Sequence, residues 1–125
     1  MSDATRKYGL DHATWLTAKD EILQILLHTA HDRALITYGD ITRHLTAVNA
    51  HPGSYVFTAL LREVCRDEFA RSGVQLCALV VSKATGRPGG GYFHGLVCAE
   101  DDILVCWQAE CEAVYVYFSG NDHTS

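Results

Sequence analysis

The stretch ITYGDITRHLTAVNAHPGSYVFTALLREVCRDEFARSG, residues 36–73, holds two helix starts and two helix stops, and its punctuation sets the architecture. Thr37 stands three residues before Asp40, so a hydroxyl is placed to cap the first amides and an acid falls in the positively polarised first turn. This predicts a short helix over about Tyr38 to Ala47. The breaker cluster Asn49-Ala50-His51-Pro52-Gly53 interrupts it, and Ser54 is placed to cap a second helix running to about Arg71. On that second helix Val56, Phe57, Leu60, Leu61, Val64 and Phe69 recur at three- and four-residue intervals, which gives one core-facing side. Arg62, Glu63, Arg66, Asp67 and Arg71 are left for solvent or a partner. Ser72-Gly73 then stops the helix, because glycine takes the left-handed conformation that helix ends use.

Upstream, Trp15, Ala18, Ile22, Leu23, Ile25, Leu26, Leu27 and Ala30 cover more than one stripe between Thr14 and His31, which predicts a helix packed on several sides. It frays at Asp32-Arg33, and Ala34-Leu35-Ile36-Thr37 reads as a short extended link. Downstream, Val74 to Ser82 has the β-rich apolar run of a strand. Thr85 to Gly91 reads as a turn, and Tyr92-Phe93-His94 as a returning strand that completes a hairpin. Asp101-Asp102 is placed to cap a last helix that carries Ile103, Cys106, Trp107, Glu110, Cys111, Val114 and Tyr117 or Phe118 on one side and ends near Gly120. Two consecutive short helices followed by a hairpin form the winged helix-turn-helix arrangement. The expected fold is therefore a single α+β domain over residues 1–125, with a winged-helix core at 33–97, extra N- and C-terminal helices, and flexible ends at 1–8 and 120–125.

Composition supports a packed core, since 48% of the residues are hydrophobic and only 20% charged, too few charges for a disordered chain. No apolar run approaches the roughly 18 residues that a membrane span needs, and the first residues lack the hydrophobic stretch of a secretion signal, so a cytoplasmic protein with no membrane partner is expected. Five Cys with no Cys-x-x-Cys pair predict reduced thiols behaving as small hydrophobes rather than a disulfide framework. The formal charge of −5 excludes a histone-like coating of nucleic acid, yet it is unevenly spread. Residues 1–32 carry −2, residues 33–97 carry +3, and residues 98–125 carry six acids and no base.

The glycines between Gly86 and Gly91 are not followed by the Lys-Ser/Thr of a phosphate-binding loop, so they read as a turn with Lys83 and Arg87 at its tip. His28, His31 and Asp32 have no further ligand at a recognisable spacing, and His44, His51 and His94 are isolated, so no metal and no cofactor are expected.

Ile36-Thr37-Tyr38-Gly39-Asp40-Ile41-Thr42 resembles the segment that opens the helix-turn-helix of the O6-alkylguanine DNA alkyltransferases and the alkyltransferase-like proteins. Leu76-Cys77-Ala78-Leu79-Val80-Val81, followed by Gly86 and Gly89-Gly90-Gly91-Tyr92, resembles their active-site run of Pro-Cys-His-Arg-Val-Val and the glycine- and tyrosine-containing loop after it. The similarity covers about residues 36–96. It implies that Tyr38 matches the tyrosine pressing on the backbone of a flipped nucleotide and that Cys77 matches the alkyl-accepting thiol. Ala78 and Leu79 replace the His and Arg of the motif, and Gly73-Val74 replaces its Asn-Pro. Without the His no general base generates a thiolate at Cys77, which leaves it a weak catalytic candidate.

Together these features predict a non-catalytic nucleic-acid-binding protein, taking DNA rather than RNA, in which Arg62, Arg66, Arg71, Lys83 and Arg87 meet phosphates and Tyr38 lies beside the backbone. The alternative is an acidic protein-interaction module of the immunity, antitoxin or regulatory kind. In it, Glu100, Asp101, Asp102, Glu110 and Glu112, beside Trp107, Tyr115, Tyr117 and Phe118, face a basic protein partner or a second copy through the last helix. A third reading is thiol chemistry at Cys77.

Overall fold

The computed structural model describes residues 10–89, 92, 98 and 102–123, with side chains of the last helix through residue 119. Helix α1 (His12–His31) begins at Asp11, whose carboxylate accepts the Thr14 N–H at 2.8 Å. It ends with Arg33 at φ 53° and the Ala34 N–H on the Thr29 carbonyl at 3.1 Å, the left-handed closure usual at helix ends. Trp15, Ala18, Ile22, Leu26 and Ala30 are buried, and α1 packs against three other elements, as its several apolar sides require. Truncating Leu26, fully enclosed at its centre, would cost about 2–5 kcal/mol.

Strand β1 (Ile36–Thr37) leads directly into α2 (Tyr38–His44), and Thr37 Oγ1 accepts the Asp40 N–H at 3.0 Å as its position predicts. Helix α2 stops at His44 instead of Ala47 because α1 takes over the next amides. The Glu21 carboxylate accepts the N–H groups of Thr46 and Ala47, each at 3.0 Å, together with the Thr46 hydroxyl. Helix α3 (Tyr55–Ser72) starts on Ser54, which accepts the Phe57 N–H at 3.2 Å, and ends on Gly73 at φ 82°.

The predicted strand from Val74 to Ser82 is corrected. Leu76–Leu79 forms a 3-10 turn, and only Val80–Val81 is extended, as β2. A strand would send alternate side chains to opposite faces, whereas Leu76, Ala78 and Leu79 are all buried. In a 3-10 turn residues three apart overlie one another, so Leu76 and Leu79 enter the same core. Strand β2 pairs in parallel with β1, Ile36 against Val80 and Thr37 against Val81. Tyr92 is helical, and Phe93 and His94 lie outside the described residues, as do residues 1–8, 90–91, 124 and 125. The turn before them is tight as predicted: the Gly86 N–H meets the Ser82 carbonyl at 2.8 Å and the Ser82 N–H meets that of Arg87 at 2.7 Å.

Helix α4 (Ile103–His123) opens with Asp102 accepting the Leu104 N–H at 2.9 Å and continues past the predicted end at Gly120. Its Trp107 indole donates to the Ala78 carbonyl at 2.7 Å, the Cys111 thiol donates to the same oxygen at 3.4 Å, and the Tyr115 hydroxyl reaches the Ala34 carbonyl at 2.9 Å. The domain is thus a mostly helical α+β fold in which α1, α3 and α4 enclose the 3-10 turn. Among the described residues no helix is long and apolar enough to cross a membrane.

Candidate functional site

Helix α3 has as many acids as arginines, but the fold separates them. Glu63 accepts the Trp15 indole N–H at 3.0 Å and lies 3.3 Å from Lys19 Nζ, which also donates to Asp67 at 2.7 Å. Both acids are thereby turned toward α1. Burial alone would lower the Lys19 pKa, but the hydrogen bonds and charges of Asp67 and Glu63 outweigh it and hold the ammonium above its ordinary value. Glu68, only 5% exposed, is held by the Arg71 guanidinium, with Nε 2.9 Å from each carboxylate oxygen. Arg71, which the sequence assigned to a phosphate, therefore neutralises a buried acid through Nε and one terminal nitrogen.

What remains outside is a stripe. Tyr55, Arg62, Arg66 and Phe69 are spaced by 7, 4 and 3 residues, which returns to one side of a helix at each step. Tyr55 is 86% and Phe69 46% exposed. Arg62 has no ion pair among the described residues, and Arg66 has only its chain neighbour Asp67 at 3.7 Å, an exposed contact of little worth. The spacing of this stripe is present in the sequence, but the periodicity places Phe69 on the core-facing side, whereas the structure leaves it exposed beside the arginines.

This stripe borders a pocket of about 570 Å³ between α3, the 3-10 turn and the N-terminus of α2. Arg62, Arg66, Tyr38 and Cys77 all line it, so four of the sequence-predicted site residues come together. The Tyr38 ring meets Phe57 edge-on at 6.5 Å, and its hydroxyl accepts the Gly89 N–H at 2.9 Å, leaving its own proton for an acceptor in the pocket. A Cβ at residue 89 would stand 3.3 Å from that hydroxyl oxygen, a tight approach that the Tyr38 side chain would have to relieve. Lys83 and Arg87 are exposed on the turn leading into Gly89. The far wall holds Tyr92, expected on a returning strand, and Glu110, expected on the acidic side of the last helix, with the Tyr92 hydroxyl donating to the Glu110 carboxylate. Burial and then Glu110 push the Tyr92 pKa far upward.

The expectation of reduced thiols is corrected. Cys65 on α3 is bonded to Cys77 on the 3-10 turn, and Cys98 to Cys106; Cys111 is free and buried. Spacing in sequence hid the first bond, because its partners lie on separate elements that only tertiary packing brings together. The bond also removes Cys77 as a ready nucleophile. Ala78 and Leu79, next to it, are fully buried, and the Ala78 carbonyl is occupied by Trp107 and Cys111.

Elsewhere, His28 and His31 are exposed beside Asp32 at 3.3 and 3.9 Å, and no metal-holding cluster occurs among the described residues. On the acidic side of α4, Glu110 takes Tyr92, and Glu112 meets Arg33 at 3.3 Å in an exposed pair. Glu100 and Asp101 lie outside the described residues. The chain matches no family model, no curated protein and no solved structure.

Proposed function

We propose that this chain binds nucleic acid without catalysing a reaction on it, with α2 and α3 serving as a helix-turn-helix pair and the turn at 82–89 as a wing. The observation that carries the reading is the sorting of charge on α3. Its acids are engaged by α1 and Arg71, while Arg62 and Arg66 face outward between exposed Tyr55 and Phe69. Arginines interleaved with aromatic rings suit a nucleic-acid strand, because guanidinium groups meet phosphates and rings stack on bases. DNA is favoured over RNA, since an α-helix enters the B-form major groove but not the deep, narrow groove of A-form RNA. The aromatic-lined pocket beside the stripe is of a size to take an extruded base, consistent with the resemblance to alkyltransferase-like proteins. With Cys77 bonded to Cys65 and no His beside it, the same pocket has no alkyl acceptor.

Fluorescence anisotropy with labelled duplex DNA, single-stranded DNA and RNA at about 50 mM salt tests the proposal, where phosphate contacts are strongest. Saturable binding with DNA preferred is expected; absence of binding to all three would end it. The acidic-module alternative has less support, as Glu110 and Glu112 already have partners within the chain. Capture of one stoichiometric basic protein, with no nucleic-acid binding, would favour it instead.

A further inference from the structure

The Cys65–Cys77 disulfide lies in the wall of the pocket, and its two sulfurs are unequal. Cys65 is 5% exposed, whereas Cys77 is half-buried and reachable. Arg62, one turn before Cys65, and Arg66, next to it, line the same pocket, and the one acid in that lining, Glu110, is engaged with Tyr92. The other disulfide, Cys98–Cys106, belongs to the stretch with six acids and no base. One molecule thus carries two disulfides in opposite electrostatic settings.

We propose that the Cys65–Cys77 bond is a thiol-exchange site, opened by small thiols that carry carboxylates and enter through the arginine-lined pocket. The incoming thiolate sulfur bonds to Cys77 Sγ as the Cys65–Cys77 bond breaks, and the electron pair leaves on Cys65 Sγ, which takes a proton from water. The incoming sulfur is oxidised and Cys65 is reduced, so the step needs no other oxidant or reductant. Two features set this direction. The accessible sulfur is the one attacked, and the departing thiolate on Cys65 is stabilised by the two arginines that line the same pocket, which speeds its departure. Run in reverse, Cys65 attacks Cys77 and expels the small thiol, making Cys65 the resolving thiol. Cys111 takes no part, because burial, reinforced by the charge of Glu110, pushes its thiol up to about 11. The inference stands apart from nucleic-acid binding and holds or fails without it.

The test treats the oxidised protein at low ionic strength with reduced glutathione, an anionic thiol, or with cysteamine, a cationic one. Acid quenching, trapping with N-ethylmaleimide and peptide mass mapping then locate each product. Glutathione is expected to open Cys65–Cys77 about tenfold faster than Cys98–Cys106, leaving glutathione on Cys77 and maleimide on Cys65, and cysteamine to lose or reverse that preference. In the Arg62→Gln/Arg66→Gln variant, which alters only exposed side chains, the preference of glutathione for this bond should disappear. Glutathione found on Cys65, equal opening of the two bonds by both reagents, or a preference unchanged in the variant would each overturn the proposal.

Discussion

Replacing Arg62 and Arg66 together by Gln removes two cations from the outer face of α3 while leaving every hydrogen bond described for that helix in place. Because Arg71 is committed to Glu68, the cations left to meet phosphates in the wild type are Arg62, Arg66, Lys83 and Arg87. Four phosphate contacts give a slope of log K against log[salt] of about −3.6, so affinity falls about 150-fold between about 50 and 200 mM salt. With two contacts the slope is about −1.8, and the same change costs only about 12-fold. Anisotropy titrations of labelled duplex at four or five salt concentrations measure both slopes, and thermal melts of the two proteins establish that folding is unaltered. If the variant keeps the wild-type slope, the arginines do not touch phosphate and the assignment of α3 as the binding helix is refuted. A weaker affinity with an unchanged slope would refute it equally, since a lost phosphate contact must release fewer counterions.

Three further outcomes are expected. Arg71→Ala strips the partner from a nearly enclosed carboxylate at Glu68 and should cost about 1–3 kcal/mol in urea unfolding, and replacing both residues by Leu should recover part of the loss. At Glu21, burial raises the carboxyl pKa, but hydrogen bonds from the Thr46 hydroxyl and the Ala47 and Thr46 amides outweigh it and hold the group below 4.5. A depressed folded-state pKa stabilises at pH values well above 4.5 and is lost as pH falls through the folded value, so the melting-temperature gap between wild type and Glu21→Gln should narrow on acidification below that point. Finally, Cys111 should resist iodoacetamide at about pH 8 in the native protein and label on denaturation, as a buried thiol pushed up to about 11 requires.

The helices were legible because their signals are local. Thr37 and Ser54 cap where their side chains must, Gly73 closes α3, and the apolar breadth of α1 matches an element packed on several sides. Long-range partnerships were not legible. Nothing in the run from Leu76 to Val81 distinguishes a strand from a 3-10 turn with a two-residue strand, because periodicity cannot separate them when every inward side chain is apolar. The end of α2 depends on Glu21, a residue on another helix. At the site, Arg62 and Arg66 were visible from type and spacing, and Tyr38 and Cys77 were named only by the family resemblance; the separation of acids from arginines on α3 depends on Trp15, Lys19 and Arg71 across helix faces. The Cys65–Cys77 bond is a product of that same packing.

The carbonyl of Ala78, shared by Trp107 and Cys111, makes the 3-10 turn the anchor on which α4 is hung. Ala78 and Leu79 are themselves fully buried. A histidine at 78 would have to place a ring in that enclosed interior, and an arginine at 79 would bury a charge with no partner. New polar chemistry on this turn therefore comes only at the expense of the contact between the last helix and the turn, so any design that seeks it must first rebuild the seat of α4.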